Sequence, residues 1–319
     1  MLEVLSMKKL ISLLLCVIMI FSCSISVFAY GGEVKIPSGD IGTLCTYERE
    51  IIDSKDKTYH GWIDWTECGQ FRKSAIKSGR LKKGSMCGLK NVATTDNRLM
   101  IATVANIGNK LPVSVGDYLD VYFTDGTLWQ CIVGDIKEDG VNSIWGHNKG
   151  QSVVEIIYWD YSHCGNVEGK KISKIQSVGS YYDKNSQKPV TVKVGYFNIK
   201  TGSYGNAFID GNNRTMVPLR SFAESAGCSV AWDGKSKKIT LTKSGGLGPI
   251  VEFYVGKSNY YTKGSDLGKS VKKSMDTAPL ICEDRTYIPL RYAAEALGYK
   301  VNWNAGSKTA TCSESGFGF

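Results

Sequence analysis

The strongest constraint in this sequence is internal. Residues 214–241, RTMVPLRSFAESAGCSVAWDGKSKKITL, return at 285–312 as RTYIPLRYAAEALGYKVNWNAGSKTATC. Arg214 and Arg285, Pro218 and Pro289, and Trp232 and Trp303 all differ by 71 positions (285 minus 214, 289 minus 218, 303 minus 232), so the two copies align without a gap. Small units that bury little apolar surface alone gain by packing on a neighbour. Each copy reads as a turn, a short helix and a strand pair. Pro218 and Pro289 suit the first helical position, where a missing N–H costs nothing. Leu219, Phe222, Ala223 and Ala226 share one helical face, as do Leu290, Ala293, Ala294 and Leu297. Gly227 and Gly298 are stops able to take positive φ. Arg220 with Glu224, and Arg291 with Glu295, have the four-residue spacing of surface ion pairs. The strands SVAWDG and KVNWNAG alternate Val and Trp inward, which makes Trp232 and Trp303 the expected core residues of a non-catalytic scaffold.

The chain has 319 residues, 42% hydrophobic and 22% charged, which is a globular balance with room for two ordinary domains. Lys8-Lys9, the run LISLLLCVIMIF and the small residues of VFA read as a signal peptide over residues 1–29, cut after Ala29. No later apolar run approaches the roughly 20 residues of a bilayer span. The expected protein is therefore secreted, extracellular or cell-wall associated, with no integral membrane span. Net charge is +9, and the excess sits late: residues 191–319 carry 17 Lys/Arg against 10 Asp/Glu, residues 30–190 carry 20 against 19. A basic exported half suits an anionic wall polymer, through attraction that salt weakens. Nucleic acid is not an expected partner outside the cell. Cys45, Cys68, Cys87, Cys131, Cys164, Cys228, Cys282 and Cys312 remain after the signal, and eight cysteines allow 105 pairings. There is no CxxC, and the three histidines lack close-spaced partners, so neither a metal nor another cofactor is expected.

In the first half, RLMIATVAN, YLDVYFTDGTLWQCIVGD and SVVEIIYW carry the densest strand signal. Leu119, Val121 and Phe123 alternate with Asp120 and Tyr122, and Asp125-Gly126 predicts a two-residue hairpin turn. Before these strands, Arg72, Lys73, Lys77, Arg80, Lys82 and Lys83 occur with no acid between Cys68 and Cys87, the pattern of a solvated basic helix. The candidate chemistry lies in CIVGDIKEDG. Gly134 permits a turn at a strand end, leaving Asp135 at a rim where Trp129 and Trp145 would partly desolvate it. Such a carboxyl can act as a general acid. Glycosidic cleavage usually uses two carboxyls, though a lytic route can use one, with the sugar's own hydroxyl closing on the anomeric carbon. Glu155 and His147 complete the catalytic candidates, and Trp129, Trp145 and Lys137 are the candidate substrate-binding residues.

Two resemblances follow from these strings. The R-T-x-x-P-L-R … A-E-x-x-G-x-x-V-x-W pattern resembles the copper amine oxidase N-terminal-like stalk domain, over about residues 188 to 315. That resemblance implies an exported Gram-positive protein whose repeats are a spacer or attachment part. It implies neither copper nor oxidase activity, and the chain has no His-x-His pair. Residues 98–160 resemble the three-aspartate double-psi β-barrel of peptidoglycan-lytic proteins, through the Leu-Pro … Gly turn, GD-I-K and WG. Asp135 matches that family's first aspartate, while the paired glycines and the later Gly-x-x-x-Asp are not intact. The expected fold is α+β, mainly β. A double-psi-like β-barrel with an N-terminal extension occupies residues 30–187, and a duplicated helix-on-antiparallel-sheet module occupies 188–319, with repeats at about 188–243 and 250–315. The expected function is engagement of peptidoglycan, as a lytic transglycosylase-like enzyme using Asp135; the alternative is a non-catalytic wall- or polymer-binding protein or adhesin.

Overall fold

The computed structural model describes residues 32–36, 51–52, 59–60, 71, 74–75, 77–136, 153–157, 170–184, 186, 188–245, 248–264 and 268–314. The expected signal segment lies outside them. The protein is mainly β, and its organising element is the strand Thr127–Ile136. On one side this strand runs antiparallel to Asp117–Phe123. Its other side is shared. Thr127 and Leu128 run parallel to Ile281 and Cys282 of the second half, while Cys131 to Ile136 run parallel to Arg98–Thr103 of the first. Leu128, Trp129, Cys131, Ile132 and Val133 are all buried, so both faces are covered. A strand covered on both faces needs such a near-continuous apolar run.

The turn feeding this strand differs from the expected two-residue hairpin. Tyr122 pairs with Leu128 and Val121 with Trp129, which centres the loop on Asp125. The loop is therefore Thr124-Asp125-Gly126, with Gly126 at φ 85° and its N–H donating to the Phe123 carbonyl. A three-residue loop ending in a left-handed residue is the next commonest hairpin solution. Upstream, Phe71, Ser74, Ala75 and Lys77 are helical, whereas Lys82 and Lys83 lie on the strand Leu81–Met86. The basic stretch is thus only partly a helix.

The second half is built about a local two-fold. The strand Thr215–Pro218 pairs antiparallel with Arg285–Pro289, and Val217 lies opposite Ile288, its own equivalent in the other copy. Phe208–Ile209 and Leu280–Cys282 flank this pair, giving four strands arranged evenly about the Val217–Ile288 pair. Helices Leu219–Ser225 and Leu290–Ala296 follow directly. Pro218 and Pro289 are their N-caps, still in extended backbone, rather than first helical residues. Gly227 and Gly298 end them at φ 63° and 87°. The buried residues of the two copies have exchanged volume. Phe222 and Cys228 in one correspond to Ala293 and Tyr299 in the other, all four buried. A large helix residue with a small strand residue in one copy becomes a small helix residue with a large strand residue in the other, which keeps the summed volume nearly constant. Tyr299 also donates to the Ala226 carbonyl of the first copy at 3.4 Å.

The halves meet at an apolar plug of Leu128, Met216, Leu280, Cys282 and Tyr287, and beside it at a buried polar cluster. Asp120 is 0% exposed. Alternation with Leu119, Val121 and Phe123 does not leave Asp120 in water. Arg98 donates to Asp120 Oδ1 at 3.2 Å, but Oδ2 has no hydrogen-bond partner among the described residues. Gln176 Nε2 donates to Glu33 at 2.5 Å and to Asn212 Oδ1 at 3.3 Å, and Thr277 donates to Asp210 at 3.0 Å. Burial raises Asp120 to about 6, against the opposing pull of Arg98. It raises Asp117 to about 6 against the Ser114 N–H, and Asp210 in the same direction. Among the described cysteines, Cys87, Cys131, Cys228, Cys282 and Cys312 are free thiols, and burial pushes each upward in pKa.

Carboxyls raised on folding contribute stability that is full below their ordinary value of 3.8 and lost as pH rises through about 6. The urea midpoint is therefore expected to fall between about pH 4 and 6.5, and Asp120→Asn should flatten that fall by on the order of 2 kcal/mol. An unchanged pH profile in the variant would contradict the assignment. Phe222→Ala is expected to destabilise by about 3–5 kcal/mol in the same assay, since Phe222 is fully buried in the core of the second half.

Candidate functional site

The acidic corner expected at Asp135 rests on an irregularity in the sheet. Val133 pairs with Ile101 and Asp135 with Ala102, so the register slips at Gly134. A Cβ at Gly134 would lie 2.7 Å from Met100 Cε and 2.8 Å from Ile157 Cδ1, which explains glycine there by close approach. The bulge re-aims Asp135. Its Oδ1 accepts the Ile136 N–H at 3.0 Å, and the side chain is half-buried. On the other side of the Arg98–Thr103 strand, Val154–Ile156 pairs antiparallel and brings Glu155 opposite the same Ala102. Residues paired across neighbouring strands share a face. Asp135 and Glu155 therefore bracket Ala102 in one row, with backbones about 9.6 Å apart from two strand spacings. Glu155 is 5% exposed. Sequence separation hid this pairing; the apolar run VVEII predicted a strand, but not its neighbour.

The substrate-binding candidate Trp129 is placed differently from expectation. It is 2% exposed and packs edge-on against Phe123, with ring centroids 4.8 Å apart. It is a core ring and presents no surface to a sugar. Lys137, Trp145 and His147 lie outside the described residues.

Among the described aromatics the repeated tryptophans are exposed, as are Tyr182, Tyr196 and Phe197. Trp232 is 45% and Trp303 41% exposed, which corrects their expected place in the core. The strands carrying them, Cys228–Asp233 and Tyr299–Asn304, bury mainly their first residues, and the helices cover that end only. Each tryptophan lines a groove shared between copies. One groove, about 590 Å³, combines Pro218, Leu219, Arg220, Val230 and Trp232 of the first copy with Asp284, Arg285 and Thr286 of the second. The other, about 360 Å³, combines Pro289, Leu290, Arg291, Val301 and Trp303 with Asn213, Arg214 and Thr215. These lists interchange under the 71-residue shift, as the Val217–Ile288 two-fold requires.

The charges of the grooves differ. Arg214 is bound by Asp276 at 2.9 Å and Arg291 approaches Glu295 at 4.0 Å. Glu224 does not pair with Arg220 as its spacing suggested. It accepts Lys200 Nζ at 2.9 Å and the Tyr204 hydroxyl at 3.1 Å, and both hold its carboxyl below the usual range. Arg220 has no ion pair among the described residues, and Arg285 donates only to the Ser203 and Glu283 carbonyls, at 3.0 and 2.9 Å. Among the described residues no three His, Cys, Asp or Glu side chains converge as a metal site, and no helix is long and apolar enough to cross a membrane.

Residues 197–312, the segment that contains both repeats, match the family model of the copper amine oxidase N-terminal domain. The mainly β, repeat-bearing second half is thus similar in sequence to that domain. Neither the curated proteins nor the solved structures give a match.

Removing the Trp129 ring should leave a cavity. Trp129→Ala is expected to lower stability by about 3–5 kcal/mol in urea unfolding. A fully stable variant would show that the ring is not a core residue.

Proposed function

We propose that this is an exported, wall-associated protein that engages peptidoglycan through its first half, a double-psi-like barrel with its acidic corner at Asp135, while the repeat-bearing half serves as stalk and attachment module. The observation that carries the reading is the Asp135–Ala102–Glu155 row, two carboxyls held on one face of neighbouring strands. In the lytic form of the reaction Asp135 donates its proton to the glycosidic oxygen as the anomeric C–O bond breaks. The sugar's own hydroxyl oxygen forms the new bond to the anomeric carbon, and Glu155 takes up the hydroxyl proton. A non-catalytic reading, binding to wall glycan without cleavage, is favoured by two details. The neighbouring Ile136 N–H already holds Asp135 Oδ1, and Glu155 is nearly sealed from solvent.

Purified walls separate the two. If the protein cleaves, it releases anhydro-muropeptides, and Asp135→Asn or Glu155→Gln lowers release by about 10²-fold or more, the scale of a general acid–base contribution, while both variants still sediment with walls. Binding without any release, unchanged in the variants, would reject the enzyme and keep the binder. Neither release nor sedimentation would reject the reading as a whole.

A further inference from the structure

The groove at Trp232 combines features that a purely structural repeat does not need. A large indole stands open on a strand with Val230, also exposed, beside it on the same face. Leaving two apolar side chains in water forgoes the burial that their positions in a compact module could supply. Arg220 projects from the adjoining helix with no ion pair among the described residues, because Lys200 and Tyr204 hydrogen-bond Glu224, which feels Arg220 only as a weaker, more distant charge. Arg285 enters from the other copy, oriented by two backbone carbonyls that leave its positive charge unneutralised. Asp284 is the acid of the lining.

We propose that the two inter-copy grooves bind an acidic polysaccharide, with the Trp232 groove as the stronger site and the Trp303 groove as the weaker. A sugar ring lies against the Trp232 indole, and an acid group on that ring or the next is met by the planar forks of Arg220 and Arg285, whose geometry matches a carboxylate. Three observations select this chemistry. The surrounding half is basic, with 17 Lys/Arg against 10 Asp/Glu over residues 191–319. An open aromatic face suits a flat ring better than an extended acid chain alone. The site also occurs twice about a two-fold, which suits a ligand that repeats the same unit along its length, and two sites on one chain raise avidity without new contacts. The ranking follows from charge: Arg214 and Arg291 in the Trp303 groove each face a carboxylate of the protein. This proposal is independent of the Asp135 corner.

The test uses the full chain with polygalacturonate, followed by calorimetry and tryptophan fluorescence. Wild-type protein binds and its fluorescence changes. Trp232→Ala and Arg220→Gln each weaken binding on the order of thirtyfold, the effect of truncating a hot-spot residue, and Trp303→Ala weakens it only a few-fold. Each variant keeps the wild-type circular dichroism and a cooperative urea transition, which shows that it is folded, and peptidoglycan sedimentation is unchanged. Equal binding of neutral dextran, equal binding of poly-glutamate, or wild-type affinity in Trp232→Ala would each overturn the proposal. So would a dimer that Trp232→Ala dissociates, because the groove would then belong to a second copy of the chain.

Discussion

Everything in this protein depends on how one strand divides its edge. Thr127–Ile136 gives its first residues to the repeat-bearing half and its later residues to the first half, while on its opposite edge Leu128 to Ile132 pair with Asp117–Phe123. Backbone hydrogen bonds of one ladder therefore cross the boundary between the halves. The apolar plug at Leu128 seals that crossing. At Gly134 the same strand carries the bulge that re-aims Asp135. Anchorage and the acidic corner are thus two ends of one element, ten residues long.

Covering the strand on both faces has an electrostatic consequence. Asp120 and Asp210 come from opposite halves and are both buried, with Arg98 the closest compensating charge for Asp120. Burial wins over the ion pair and raises both carboxyls. Such a cluster is weak evidence for stability. The apolar plug supplies the adhesion that the cluster cannot.

In the second half, symmetry does the positioning. An antiparallel pair centred on equivalent residues must generate two equivalent grooves, and divergence then makes them unequal. Volume was exchanged between Phe222/Cys228 and Ala293/Tyr299 in the interior, where packing density constrains the sum. On the surface no such sum applies. There Lys200 and Tyr204 draw Glu224 away from Arg220, while Asp276 takes Arg214, and the two grooves differ in free positive charge.

The sequence by itself determined the repeat, its 71-residue period, the helices, their glycine stops and the strand pairs, because these follow from local propensity and spacing. It also made Asp135 a rim candidate through the Gly-Asp pair. What only the tertiary structure decided was which faces are covered. Alternation marks two faces of a strand but not what lies over each: Asp120, alternating with apolar neighbours, is buried, while Trp232 and Trp303, expected in the core, are partly open. The row joining Asp135 to Glu155 through Ala102 and the grooves joining one copy's tryptophan to the other's arginine share one cause. Each is a contact between residues far apart in the chain, set by sheet pairing that no local pattern encodes.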